Sequence, residues 1–409
     1  MELTPEIIKN TANQYGEAFY ILDTEHFKTN FLELREEFQK IYKKSNIAYS
    51  YKTNYTPKLC KIVNDLGGYA EVVSDMECQI ALKIGVNPEK IVWNGPYKNP
   101  KSLIKLVLEG VNVNVDSFSD LKVIEQIALE NPQNKISAGI RCNFDIGDGV
   151  KSRFGFDVEG EEFQKALSIF QNTQNLVLKG IHCHFASRDL KMWPIRAMKM
   201  IEIAEQYQEE SLEYICLGGG LFGKMEESLK EQFQAYIPGY EEYAQAGATL
   251  FQEKYGKMSF EKQPELLIEP GSALVGDAMK FAAKVMGIKS VRGKNIATLL
   301  GSIYNINPTL NTKNPPLKII SMQEQQSQQY QNLDFGGFTC IESDYLYKGY
   351  SGKLAVGDYA VFGNVGSYSI VLKPPFILPN FAIVEYEKEN IILIKEPECF
   401  NDLFHTFLF

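Results

Sequence analysis

Four short stretches of this 409-residue sequence carry side chains able to do covalent or acid–base chemistry. YSYKTN puts Lys52 at the end of an aromatic, β-favouring run, just before turn-forming residues. LKGIHCH sets His182 and His184 on either side of Cys183. CLGGGLFG (216–223) and EPGSALVG (269–276) are glycine-rich, and Glu269 leads the second. A desolvated lysine sheds its proton more readily and can form a Schiff base with an aldehyde. Adjacent glycines let backbone N–H groups approach an anion without Cβ interference, and helix-start amides after Gly271 add donors. His-x-His can also ligate a metal, but no third or fourth ligand stands near it in sequence, so no metal is expected.

Something must bring these stretches together. Short apolar or β-branched runs recur at 48–52, 69–73, 90–94, 111–116, 136–141, 178–184, 213–218 and 265–270. Segments of helical periodicity, such as MECQIALKIG and DLKVIEQIALE, separate most of them. Eightfold strand–helix alternation predicts an α/β fold, a parallel (β/α)8 TIM barrel over residues 25–280. The long gap from 218 to 265 predicts helical insertions. After about residue 280 the runs alternate without long helices, which predicts a C-terminal antiparallel β-domain. Residues 1–24 are expected to join residues 281–409 in it, through the lone strand YILD (20–23), and the Gln-rich QEQQSQQYQN (323–332) reads as a surface loop.

In such a barrel the active site lies at the carboxyl ends of the strands. Those ends carry Lys52, Ser74, Asn94, Asp116, Arg141, His184, Gly218–Gly220 and Glu269. The two glycine-rich loops follow strands seven and eight, where barrels commonly bind phosphate. A lysine for an aldehyde beside two loops for a phosphate points to pyridoxal 5′-phosphate. Cys183 and Cys216 read as small buried side chains, and His182 as a core or supporting residue.

Composition narrows the setting. Hydrophobic residues make up 44%, enough for a packed core, and the net charge of −9 argues against nucleic-acid or anionic-membrane partners. The N-terminus MELTPEIIKN has no apolar signal region, and no run reaches the length of a membrane helix. Seven scattered cysteines without a CxxC pair suit a reducing cytoplasm.

The chain resembles the alanine racemase-fold (fold-type III) pyridoxal-phosphate decarboxylases, the diaminopimelate and ornithine decarboxylase-like group. The motifs YSYKTN, EVVSDMECQIALKIG, NGPYK, SRFGF, HCHFAS, LGGG, EPG, CIESD and GDYAVFGNVGSYS occur in the family's order. The resemblance implies that Lys52 carries the cofactor and that His184 stacks on its ring. Ser187, Gly219, Gly220 and the backbone of Gly271 and Ser272 would hold the phosphate, with Tyr368 adding its hydroxyl. Glu269 would pair with the pyridine nitrogen. A homodimer with shared active sites is implied, in which Cys340 and Asp344 reach the partner's site. There Cys340 would handle the proton delivered to the carbanion, and Asp344 would read a distal substrate amine.

Glu269 favours decarboxylation over racemisation, because a carboxylate beside the ring nitrogen keeps the ring a strong electron sink. An amino-acid racemase and a non-catalytic regulatory homologue are the alternatives. The family's EPGR reads EPGS here, with Ser272 for arginine, and its R-P-x-L-Y segment aligns with NPTLN, giving Asn307 and Asn311. Without guanidinium partners a distal carboxylate is poorly held. A lysine- or ornithine-type or derivatised amino acid is therefore expected rather than diaminopimelate. Arg188, next to Ser187, is a candidate for the anion binding that those arginines would give, with a plain surface residue as the alternative reading.

Overall fold

The computed structural model describes residues 3–207, 212–309, 311–322, 324–387 and 390–408. The chain forms two compact units: residues 28–223 with 238–273, and residues 1–27 with 224–237 and 274–409. The divisions fall near residues 27 and 273, not at 24 and 280. Residues 224–237, expected as a barrel insertion, group with the second unit.

The first strand in the chain, β1 (Ala18–Leu22), belongs to the second unit. The first unit is built on β2 (Ser45–Ser50), β3 (Tyr69–Val72), β4 (Ile91–Trp93), β5 (Asn112–Val115), β6 (Ile136–Asn143), β8 (Leu176–His182), β9 (Tyr214–Cys216) and β10 (Glu265–Ile268). These eight pair in parallel in chain order, and β10 returns to β2, so the sheet closes into a barrel with no free edge. The short β7 (Phe156–Asp157) adds to β6 outside the ring. All eight predicted strands are present. The first ends two residues earlier than expected, and Lys52 sits in a 3-10 turn, Tyr51–Thr53.

Local sequence signals start the helices between strands. Ser74, Asn99 and Ser117 each accept a backbone N–H at a helix N-terminus, and Pro57 and Pro100 stand at first positions, where no N–H is needed. Alternation within VNVNV turns Asn114 into the barrel interior, where it meets Asn94 and Tyr214. Glycines in neighbouring strands make room for that phenol. A Cβ on Gly180 would lie 2.2 Å from the Tyr214 ring, and one on Gly139 would lie 2.0 Å from Asn114 Oδ1.

The second unit is a mostly antiparallel nine-stranded sheet. It contains β1, β11 (Met279–Val291), β12 (Lys294–Leu299), β13 (Leu317–Ile320), β14 (Gln328–Gly336), β15 (Tyr345–Leu354), β16 (Tyr359–Phe362), β17 (Ala382–Glu387) and β18 (Asn390–Lys395). The N-terminal strand does join it: β1 pairs antiparallel with β11 and parallel with β17. Leu3, Ile8, Phe19, Ile21, Val361 and Val384 pack in its core. The Gln-rich segment is not a loop. Gln328 onward is β14, held by antiparallel pairing with β15, while Gln323 lies outside the described residues. No described helix is long and apolar enough to cross a membrane.

Candidate active site

At the carboxyl end of the barrel the polar residues form one connected network. Lys52 Nζ donates to Glu71 Oε2 at 2.5 Å, and Glu71 is fully buried. Asn94 Nδ2 donates both to Glu71 Oε1 (3.1 Å) and to Glu269 Oε1 (2.7 Å), so one carboxamide joins the two carboxylates. Asn94 Oδ1 in turn accepts from Asn114 (2.8 Å), whose own oxygen accepts from Tyr214 OH (2.6 Å). Asn94 is thereby fixed in orientation by a ladder running down the barrel interior.

Glu269 is buried and surrounded by donors. His182 Nε2 lies 3.1 Å from one carboxylate oxygen and 3.2 Å from the other, and Cys216 Sγ–H donates to Oε1 at 3.2 Å. Burial alone would push this carboxyl up, but His182 and the Lys52 cation outweigh it and hold the group well below the usual carboxylate range. Glu269 is an ionised carboxylate at neutral pH. Ligand atoms of His182, Cys216 and Glu269 lie within 4.8 Å of one another, and all three are already joined by these contacts.

His184 is held the other way. Burial, then Lys52 and Arg141, push its pKa well below the ordinary histidine value, so the ring is neutral. Gly219 N–H donates to its Nδ1 at 3.0 Å and fixes the ring plane. Gly219 was expected to donate to an anion, but its N–H is taken by this bond. Gly220 and Gly271 N–H groups, in contrast, meet no acceptor among the described residues.

The glycines are required by close packing. A Cβ on Gly218 would sit 2.3 Å from Cys183 O, and one on Gly220 would sit 2.6 Å from Ser187 O; both positions have positive φ. Beneath them lies Arg196, on the helix Met192–Tyr207 and fully buried. It donates to Gly219 O (2.7 Å) and Ser187 O (2.7 Å), tying the two loops together. Ser187 Oγ accepts from Asp189 N–H (3.3 Å) and keeps its own proton to donate. Arg188 reaches Ser272 Oγ (3.3 Å).

Lys52, His184, Ser187, Arg188, Gly219, Gly220, Glu269, Gly271 and Ser272 thus all lie in the barrel unit, in the segments that follow four strands, β2, β8, β9 and β10. Tyr368, Cys340, Asp344 and Asn307 lie in the second unit. Tyr368 has φ 65°, a strained conformation for a bulky residue. Cys340 is a free, exposed thiol.

Asp344 departs from expectation. Both of its carboxylate oxygens are occupied: Oδ1 accepts from Ile303 N–H (2.7 Å) and Ser302 Oγ (3.1 Å), and Oδ2 from Thr339 Oγ1 (2.6 Å) and N–H (3.3 Å). It pins the loop that carries Cys340 and leaves no acceptor turned toward a ligand. Asn307 is likewise committed within its own loop. Its Oδ1 accepts from Thr309 Oγ1 and from Asn311 N–H and Nδ2, and its Nδ2 donates to Asn311 O (2.8 Å).

Sequence reasoning missed Glu71 and Arg196. A single carboxylate inside the buried run YAEVV was the available signal for Glu71. Arg196 had none, because it lies in an ordinary amphipathic helix.

A family model described as "Pyridoxal-dependent decarboxylase, pyridoxal binding domain" matches residues 27–276. The diaminopimelate decarboxylase of Aquifex aeolicus is 27% identical over 411 residues, 96% of this chain and 92% of that protein. The Methanocaldococcus jannaschii protein of the same name is 26% identical, covering 96% and 91%. A solved M. jannaschii diaminopimelate decarboxylase superposes with a TM-score of 0.86 at 25% identity, over 98% of this chain and 94% of that one. The Helicobacter pylori diaminopimelate decarboxylase, solved with L-lysine, gives 0.81 at 24% identity over 97% and 98%, which speaks to the fold.

Proposed function

The chain belongs to the pyridoxal-dependent decarboxylases, and from that premise we propose that it removes CO2 from Cα of a straight-chain amino acid bearing a polar group at its far end. The cofactor fits the residues present. Lys52 is the amine that would hold its aldehyde carbon, and Glu269 is an ionised acceptor for a ring N–H. Gly220, Gly271 and Ser187 offer unused donors to its phosphate. When bound, the cofactor supplies an electron sink for the pair left at Cα as CO2 departs.

The protein's part is positional and electrostatic. Glu269 keeps a proton on the ring nitrogen, and Asn94, His182 and Cys216 prevent the carboxylate from rotating away. Glu71 takes the charge of Lys52 and aims its Nζ. Neutral His184, its plane set by Gly219, presents a flat face without adding positive charge. The observation that carries this reading is the network in which Asn94 joins the partner of Lys52 to Glu269. A protonated ring suits decarboxylation better than racemisation.

The exposed Cys340, on a loop fixed by Asp344, is the proton donor to Cα across a homodimer interface, and the strained Tyr368 gives its hydroxyl to the phosphate. All seven cysteines are free, which supports a cytoplasmic setting. Incubating the cofactor-loaded protein with a panel of amino acids, while measuring CO2 and the stereochemistry of the products, tests the reaction. CO2 release supports the reading. Inverted substrate without CO2 would make the protein a racemase, and neither product would leave the regulatory alternative.

A further inference from the structure

The amino mouth of the barrel, away from Lys52, holds a cavity of about 850 Å³. Its lining comes from the starts of the strands. Tyr69 opens β3, Lys90 precedes β4, Asn112 opens β5, Tyr214 opens β9 and Glu265 opens β10. The floor is apolar: Val92 and Tyr214 pack with Cys216 and Leu267 in the barrel interior, and Tyr69 rests against them. Tyr214 separates this cavity from the catalytic network, with its ring in the floor and its hydroxyl turned up the barrel to Asn114 (2.6 Å).

Three polar groups around that floor are held in place without the partner their charge or lone pair calls for. Lys90 Nζ sits over the Tyr69 ring, 3.8 Å from its centroid, and no described carboxylate pairs with it. Glu265 accepts the Tyr69 hydroxyl at 2.6 Å, and no described cation pairs with it. One phenol thus fixes a cation on its face and a carboxylate at its edge, and keeps the two apart. Asn112 is the third group. Its Nδ2 donates to the main-chain oxygens of Glu89 (2.6 Å) and Ile91 (3.3 Å), on either side of Lys90. Its Oδ1 meets no donor among the described residues, although the residue is only 5% exposed. The alternation that turns Asn114 inward turns Asn112 inward too, one layer nearer this mouth. A buried acceptor left unpaired costs free energy that a ligand's N–H would recover.

We infer that this cavity binds a free α-amino acid as its zwitterion, at a site separate from the catalytic one. The ligand's carboxylate meets Lys90, its ammonium meets Glu265 and Asn112 Oδ1, and its side chain lies on Val92 and Tyr214. A ligand of one sign satisfies one of the two fixed charges and is opposed by the other, whereas a zwitterion satisfies both. The cavity volume suits a small molecule of this kind. The binding involves no covalent step and does not depend on the decarboxylase reading.

L-Norleucine, pentylamine and hexanoate share one apolar chain and differ in charge, so together they separate the contacts. Calorimetry is run on the cofactor-loaded protein after borohydride reduction, which prevents turnover. Norleucine is expected to bind wild type about 10-fold or more tightly than either singly charged probe, the weight of one charge-assisted contact. Lys90→Gln should weaken norleucine and hexanoate about 10- to 100-fold and leave pentylamine within about twofold. Glu265→Gln, which keeps an acceptor for the Tyr69 hydroxyl, should weaken norleucine and pentylamine and spare hexanoate. Both variants should take up pyridoxal phosphate as wild type does, which shows the fold intact. No saturable norleucine binding up to about 10 mM overturns the inference, as does binding that neither substitution weakens. Equal weakening of all three probes by either variant also overturns it, because that marks a change of shape rather than a lost charge pairing. Neither residue belongs to the Lys52 network, so the same pattern in a protein that releases no CO2 would refute the reaction while supporting this site.

Discussion

The two mouths of the barrel are made from the same kinds of residue and behave differently. At the carboxyl end, Lys52 faces Glu71 at 2.5 Å with the carboxylate sealed from solvent. At the amino end, Lys44, Lys90, Lys179 and Lys262 together with Glu89, Glu213, Glu261 and Glu265 line a cavity of about 850 Å³. There Lys179 faces Glu213 at 3.2 Å, but that glutamate is 62% exposed. Water screens the second pair and leaves the side chains free to move, whereas the first pair is fixed by a network that reaches Glu269. A lysine–glutamate pair alone does not distinguish a site on this molecule. The distinguishing features of the carboxyl mouth are buried carboxylates joined by one carboxamide and glycine backbone packed where no Cβ fits.

That contrast orders the consequences of substitution. Lys52→Ala should remove activity by at least about three orders of magnitude and abolish covalent cofactor attachment; the absorbance spectrum and CO2 assay check both. Glu269→Gln keeps the shape and removes the charge, so kcat should fall about 100-fold with the cofactor still attached. An unchanged kcat would remove the ring-nitrogen role. Cys340→Ala should lower kcat by about 10- to 100-fold with KM little changed. Mixing Cys340→Ala with Lys52→Ala protomers should restore about a quarter of wild-type activity if the sites are shared across a twofold dimer. No recovery on mixing would place both residues in sites of a single protomer.

Glu77 gives a smaller effect with a defined sign. Burial, reinforced by nearby Glu71 and opposed by the Val73 N–H bond, pushes its carboxyl up to about 7. The folded state keeps a proton there that the unfolded chain has lost, so stability falls as pH rises from the ordinary glutamate value to about 7. The slope is at most about 1.4 kcal/mol per pH unit. In Glu77→Gln that fall should disappear, and denaturant unfolding at several pH values shows it as a narrowing gap to wild type at low pH and relative stabilisation above 7. Parallel curves would contradict it. Lys179→Ala, at the amino mouth, should change stability by less than about 0.5 kcal/mol and leave kcat unaltered. A large loss there would erase the difference between the two mouths.

Much of this was legible before the structure. The strand–helix rhythm located all eight barrel strands, and position at their carboxyl ends picked out Lys52, His184 and Glu269. What stayed hidden depends on closure of the ring. Asn94, Asn114 and Tyr214 meet because β4, β5 and β9 enclose one interior, and no local spacing encodes that. Glu71 and Arg196 look unremarkable in sequence because burial, which makes them costly and therefore informative, is a tertiary property. Asp344 was misjudged for a related reason: a carboxylate in a motif near a cysteine suits ligand binding as well as loop capping, and only its four donors distinguish them. The Gln-rich strand lacked an apolar period, and its pairing partner β15 overrides that weak local preference.

The most direct measurement is borohydride reduction of the cofactor-loaded protein, followed by proteolysis and mass spectrometry. The cofactor's mass should be fixed on the peptide containing Lys52 and on no other. A label on a different lysine, or none after reduction, would contradict the role given to Lys52 and the network built around it.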